Sequence, residues 1–245
     1  MTSATAPCIA STRQAGLLLC PSTIAYTFMD PNKQTLPWAW IKATNQILSG
    51  FPNKDPDYLP VELLPWLFLS DEFNCIWQPD KLKELGITHV LTVNERTNDE
   101  IEKTREKLQS IGITYHAVVG ARDIEGYDMI DNHWEECLQF FQQAKTRPTG
   151  KIAVSCVAGV NRSGLMAAAA MLVLGDDEVT GTLLDVVRLL KRKRGQVLTN
   201  FSFQKQLCLL AAREGKLGEF PEGFSDEPLP DDFEPKRQKG ATVDW

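Results

Sequence analysis

From Leu59 to Arg213 the chain alternates short β-branched runs with longer stretches whose apolar residues recur every three or four positions. Trp66 to Leu69 reads as a short apolar strand, and Gln78 to Leu85 as a helix stopped by Gly86. Thr88 to Val93 (Thr-His-Val-Leu-Thr-Val) predicts a central strand. Asn98 to Ile111 follows as a charged amphipathic helix, with Asn98 as N-cap and Gly112 as its stop. Ile113 to Val119 is another strand, leading into a polar loop from Ala121 to Asp128. Asp131 to Lys145 is a helix with Trp134, Cys137, Leu138 and Phe141 on one side. Then come a strand over 151–155, a glycine-bearing loop, and an apolar helix over 163–174 closed by Gly175. A helix capped by Asp176 or Asp177 runs to about Arg194, and a last one spans Phe201 to Arg213. This alternation predicts an α/β fold: a central, mostly parallel sheet flanked by helices.

Outside that stretch the texture changes. Residues 1–58 carry prolines at 7, 21, 31, 37, 52 and 56 and no sustained period, so they read as an N-terminal extension, at most partly ordered. Trp38, Trp40, Ile41, Ile47 and Leu48 can form one short helix lying on the main body. A single folded domain is expected over 59–214. The remaining 215–245, rich in proline, glycine and acids, is expected to be a disordered acidic tail.

The formal charge of −6 is carried mainly by that tail: Lys216 to Trp245 hold eight acids against four bases, leaving about −2 for the rest. A nearly neutral body argues against nucleic acid as a partner. Six cysteines without a C-x-x-C pair form neither a zinc framework nor a disulfide scaffold, and suit a reducing compartment. The longest apolar run, around Met166 to Leu174, is too short to span a bilayer. The acid-poor, Ser-rich start has a single base before Asp30, Arg13, and reads as an extension rather than a targeting signal.

The segment with most chemical content is Ser155-Cys156-Val157-Ala158-Gly159-Val160-Asn161-Arg162-Ser163-Gly164, between a buried strand and a helix N-terminus. There a helix dipole and loop N–H groups favour a thiolate at Cys156. Gly159 lets the backbone of Val157, Ala158, Gly159, Val160 and Asn161 fold round so that amides converge on an anion. Arg162 offers a planar fork matched to two phosphate oxygens. Ser163 can donate its hydroxyl to the sulfur and ease its departure. The chemistry that fits is phosphoryl transfer onto sulfur. It needs a proton donor for the leaving oxygen, and Asp123 lies in a loop expected at the carboxyl edge of the same sheet. By position alone Asp123 is either that acid or a solvated loop carboxylate, with Glu125 and Asp128 as substitutes and Asp128 also suited to the turn before the next helix.

These residues bring out a likeness. Val61 to Leu210 resembles the dual-specificity phosphatases of the cysteine-phosphatase superfamily, and its atypical group in particular. The matching pieces are Trp66-Leu67-Phe68-Leu69-Ser70, Gly86-Ile87-Thr88-His89-Val90-Leu91, Cys156-x-x-Gly159-x-x-Arg162-Ser163, and Arg194 followed by Asn200, Phe203, Gln206 and Leu207. The resemblance implies the cysteine-phosphatase fold, Asp123 as general acid, and docking of the last helix, with Asn200, against the active-site loop. It implies hydrolysis of phosphoserine, phosphothreonine and phosphotyrosine through a cysteinyl phosphate, with a phosphoprotein substrate and no metal or organic cofactor. Two positions depart from the family pattern. Ser155 stands where histidine usually precedes the nucleophile, and Thr199 where proline usually precedes the asparagine, a change that looks minor. Without an imidazole to buttress the loop, weaker turnover is expected. The competing reading is a pseudophosphatase that captures phosphoproteins with little hydrolysis.

Other readings carry less. His89, His116 and His133 show no ligand spacing and suit packing or surface roles. Lys191-Arg192-Lys193-Arg194 fits the C-terminal end of a helix dipole better than a nuclear signal. The loop interior has no lysine, which disfavours phosphoinositides, and the likeness of 159–164 to RNA triphosphatase loops comes without a basic channel. The expectation is therefore a monomeric cytoplasmic protein, with nuclear entry open, that engages neither membrane nor nucleic acid.

Overall fold

The computed structural model describes residues 36–50, 59–230, 233 and 235. Most of the N-terminal extension, with Cys8 and Cys20, and the acidic end of the tail lie outside the described residues.

In chain order the elements are α1 (Trp38–Ser49), β1 (Val61–Leu64), β2 (Leu67–Asp71), a π-helical turn (Phe73–Trp77), α2 (Pro79–Glu84), β3 (His89–Val93), α3 (Asn98–Gln109) and β4 (Thr114–Val118). They continue with α4 (Met129–Lys145), β5 (Ile152–Cys156), α5 (Arg162–Leu174), α6 (Asp177–Thr180), α7 (Leu183–Arg194) and α8 (Phe201–Arg213). The strands form one sheet in the order β1-β2-β5-β3-β4. β2, β5, β3 and β4 are parallel and β1 joins β2 antiparallel, so the expected α/β fold with a mostly parallel central sheet is what forms.

Side chains of successive strand residues leave opposite faces of a sheet, and here they feed two apolar cores. Ile152, Val154, Leu91 and Val93 join the larger one with α1, α4, α5, α7 and α8. Ala153, Val90, Phe68 and Tyr115 join a smaller one under α2, α3 and the π-turn. α5 runs through the larger core, and from Leu165 to Leu172 every residue is buried. A helix apolar on all sides has no solvent face to offer, which is why it sits in the centre.

Several boundaries differ from the sequence reading for local reasons. Thr97, not Asn98, caps α3: it accepts from the Glu100 N–H while the Glu100 carboxylate accepts from the Thr97 N–H, a reciprocal capping box. The helix expected from Asp176 to Arg194 breaks at Gly181, because Thr182 caps α7 afresh through Asp185 N. β1 was not anticipated, since Pro65 separates it from its partner by a tight reversal.

The expectation of a disordered tail fails for residues 215–230. Leu217, Phe224, Leu229 and Phe233 pack on the large core, and α1 contributes Ala39, Ile41 and Leu48 to that core as well. Composition argued for disorder, but these spaced apolar side chains have a surface to cover.

His89 is fully buried, with Nδ1 2.8 Å from Thr88 Oγ1 and its ring edge-on to Phe140. Burial, with the Arg147 charge adding to it, pulls its pKa from 6.5 down to about 4. The ring is neutral in the fold and protonates more readily when unfolded. Its contribution is therefore complete above about pH 6.5 and is lost as pH falls from there toward 4. Unfolding free energies from urea titrations are expected to fall over that window by no more than about 3.5 kcal/mol. His89→Leu should flatten this limb; an unchanged pH slope would refute the account.

Candidate active site

Parallel strands open their carboxyl ends to one edge of the sheet, and ligands of such folds gather there. The central strand β5 delivers Cys156 to that edge, 1% exposed and beside Asp71 of β2. The loop 157–161 then turns directly into α5. No acidic residue stands in the first turn of α5, so its free N–H groups and dipole remain available to an outside anion.

The loop's conformation follows from where its carbonyls go. Val157 O accepts from Glu72 N at 3.4 Å, and Val160 O from Leu198 N at 3.1 Å. Ala158 O and Gly159 O accept from Arg194, Nη2 at 3.1 Å and Nε at 3.0 Å. A trans peptide sets each N–H opposite the preceding carbonyl. With four successive carbonyls turned out to neighbours, the amides of Ala158, Gly159, Val160 and Asn161 face the inside of the loop. Gly159 has φ +65°, and a Cβ there would lie 2.7 Å from Ser70 O. Gly159→Ala is therefore expected to cost about 1 to 2 kcal/mol for the left-handed backbone alone. The clash with Ser70 then pushes the loop off β2, and kcat/KM should fall at least about tenfold. A Gly159→Ala variant with full activity would refute this geometry.

Ser163 Oγ donates to Cys156 Sγ at 3.1 Å from a fully buried position. Arg162, the first residue of α5, donates from Nη1 to Ala121 O at 3.3 Å. Its Nε is buried and finds no partner among the described residues. Asp123 is exposed, two residues beyond Ala121, and its Oδ1 accepts from Asn200 Nδ2 at 3.2 Å. Asn200 Oδ1 meanwhile caps α8 by accepting from Ser202 N and Phe203 N. Cys156, Arg162, Ser163, Asp123 and Asn200 thus meet at one edge.

The other three described cysteines are of a different kind. Burial pushes the Cys75 and Cys208 thiols up to about 12, and raises that of Cys137. They are packing residues.

Some predicted residues have other tasks. The Glu125 carboxylate accepts from Phe201 N at 2.9 Å and Ser202 N at 3.0 Å, so it anchors α8 and is committed away from proton transfer. Asp128 occupies the N-cap position of α4 without a side-chain cap bond. Tyr127, between them, closes the loop with its hydroxyl on Gly120 O at 2.8 Å. The Asn161 side chain turns away from the loop centre: its Oδ1 accepts from Thr199 N, Thr199 Oγ1 and Asn200 N. The Thr199 substitution is thus more than minor, because proline has no N–H to give Asn161. Ser155 is fully buried on the opposite face from Cys156, its Oγ 3.1 Å from Thr92 Oγ1.

The resemblance puts Arg194 in the cluster that docks on the active-site loop, whereas residue type alone makes it one of four helix-terminal bases and does not show its grip on the loop carbonyls. A signal was present: Leu183, Val186, Val187, Leu190 and Arg194 follow the buried stripe of α7. Lys191 is buried too, with Nζ on Leu48 O at 3.0 Å, so the basic run is divided between faces. The remaining histidines pair with neighbours, His116 with Glu136 and His133 with the Tyr127 hydroxyl, both at 2.6 Å. Among the described residues no helix is long and apolar enough to cross a membrane.

Comparison with known proteins shows the family to which the chain is similar. The family model described as dual specificity phosphatase, catalytic domain, matches residues 67–213. Dual specificity protein phosphatase 26 of Homo sapiens is 32% identical over 152 residues, covering 62% of this chain and 67% of that protein. Dual specificity protein phosphatase 7 of Homo sapiens is 27% identical over 176 residues, 67% of this chain and 36% of that protein. Among solved structures, that of human DUSP28 covers 65% of this chain and 99% of its own at 20% identity, with a TM-score of 0.49. With the family model matching well over half of its residues, the cysteine and arginine of the loop included, the chain belongs to the dual specificity phosphatase family and is a protein phosphatase.

Proposed function

We propose that this chain hydrolyses phosphoserine, phosphothreonine and phosphotyrosine esters of proteins through a phosphocysteine at Cys156. The observation that carries the proposal is the fully pinned loop. Four carbonyls are held outward by Glu72, Arg194 and Leu198, so the inward amides form an anion cradle that needs no rearrangement when charge develops. In the first step the Cys156 thiolate attacks phosphorus in line. The bond to the leaving oxygen breaks as Asp123 delivers its proton to that oxygen. Arg162 and the loop amides take the equatorial oxygens. In the second step water attacks the phosphocysteine, Asp123 accepts its proton, and sulfur leaves with the Ser163 hydroxyl donating to it.

Substrate breadth follows from the entrance. The loop over 119–128 between β4 and α4 carries no long insertion, which supports a shallow mouth open to short phosphoserine as well as phosphotyrosine. The loop interior (Val157, Ala158, Val160, Asn161) offers no lysine for a polyphosphorylated lipid head. A reducing location such as the cytoplasm or nucleus suits a working thiolate.

Ser155 motivates the second reading, a phosphoprotein binder. Its hydroxyl is engaged with Thr92 on the far face of the sheet, so the loop relies on Arg194 instead, and that support is intact. Reaction with a phosphopeptide carrying labelled phosphate, followed by acid quench, tests the choice. One labelled peptide containing Cys156 is expected, with multiple turnovers and competition by vanadate. Retention of intact phosphopeptide with no label on sulfur would establish the binder.

A further inference from the structure

The family match ends at residue 213, yet the chain beyond it is built into the body. The stretch from Leu217 onward first fastens to α1, which also lies outside the matched range. Pro37 gives α1 no side-chain cap, and Asp226 Oδ1 supplies one by accepting from Ala39 N at 3.1 Å. Trp40 Nε1 donates to Leu217 O at 2.9 Å and its ring meets Phe220 edge-on at 5.2 Å. Lys42 Nζ reaches Ser225 O and Oγ at 3.1 and 3.2 Å. Past this anchorage Leu229 and Phe233 lie against the core, and the Phe233 ring packs at a tilt of 44° on that of Phe201, with centroids 5.5 Å apart.

Phe201 is the first residue of α8, the turn on which the acid loop hangs. Its own N–H and that of Ser202 hold Glu125, and the preceding residue, Asn200, holds Asp123. The first turn of a helix is where fraying begins, because its N–H groups lack partners within the helix. A ring packed on Phe201 therefore restrains the turn that sets where Asp123 stands.

We propose that residues 217–230 form a strap that, with Phe233, positions the general acid: by holding Phe201, Phe233 fixes the Asn200 and Glu125 anchors of the Asp123 loop. Phe233 is a positioning residue, touching neither substrate nor reacting atoms. The inference rests on Asp123 being the acid.

Proton donation matters most when the leaving oxygen is a poor leaving group. The test uses the full chain and compares kcat/KM for phenyl phosphate with kcat/KM for difluoromethylumbelliferyl phosphate, whose leaving group departs without help. For Phe233→Ala, phenyl phosphate is expected to react about tenfold more slowly and the fluorinated ester less than about twofold. Phe233→Leu should restore the rate. Asp123→Asn should show the same selectivity more strongly, about 10²-fold or more. Equal losses on both substrates for Phe233→Ala, or no loss on either, overturn the strap's role while Asp123→Asn stays selective. If Asp123→Asn slows both substrates alike, the acid assignment fails and the strap's role falls with it.

Discussion

Cys156→Ser is expected to lower kcat on phosphopeptides by about 10⁴-fold or more, more than 5 kcal/mol of barrier, while phosphopeptide binding survives. A serine hydroxyl stays protonated near neutral pH, and the Ser163 hydroxyl that sits 3.1 Å from sulfur can donate to it but not take its proton. Binding survives because the cradle is backbone, held by Arg194, Leu198 and Glu72 rather than by the sulfur. Isothermal titration with a phosphopeptide, beside single-turnover assays, checks both halves. Residual turnover within about tenfold of wild type would move the nucleophile elsewhere.

Arg162→Lys should cost about 10² to 10³ in kcat/KM, about 3 to 4 kcal/mol of transition-state stabilisation, with little loss of stability. Among the described residues the guanidinium donates from Nη1 to Ala121 O, while Nε is buried without a partner. An unpaired buried donor destabilises a fold and is tolerated where a ligand supplies the acceptor. Lysine relieves that cost but loses the planar fork that grips two oxygens at once. Activity falling while the thermal midpoint holds is the expected pattern. A midpoint that collapses with activity would make Arg162 a structural residue.

Much of this site could be read along the chain because its parts are contiguous. The nucleophile, the glycine that bends the loop, the arginine fork and the serine on the sulfur all fall between 156 and 163, and the strand and helix around them have clear periods. By position alone Asp123 was legible as one acid among three, and the family resemblance singled it out. Glu125 differs from it by two positions, yet one carboxylate caps α8 while the other stands exposed at the edge, held through one oxygen by Asn200. That division depends on α8 arriving from 77 residues away. The tail was misread for a related reason: its acids and prolines resemble disorder, and only α1 and α8 give Asp226, Phe224 and Phe233 something to hold.

Local steric rules and side-chain periodicity are short-range properties, so the amino-acid order alone specified the alternating strands and helices, the bend at Gly159 and the chemistry of the loop. Strand order, the outward pinning of the loop by Arg194, the burial of Ser155 against Thr92 and the docking of the tail were decided in three dimensions. The last three join residues more than thirty positions apart, and such pairings depend on which surfaces the packed core leaves uncovered.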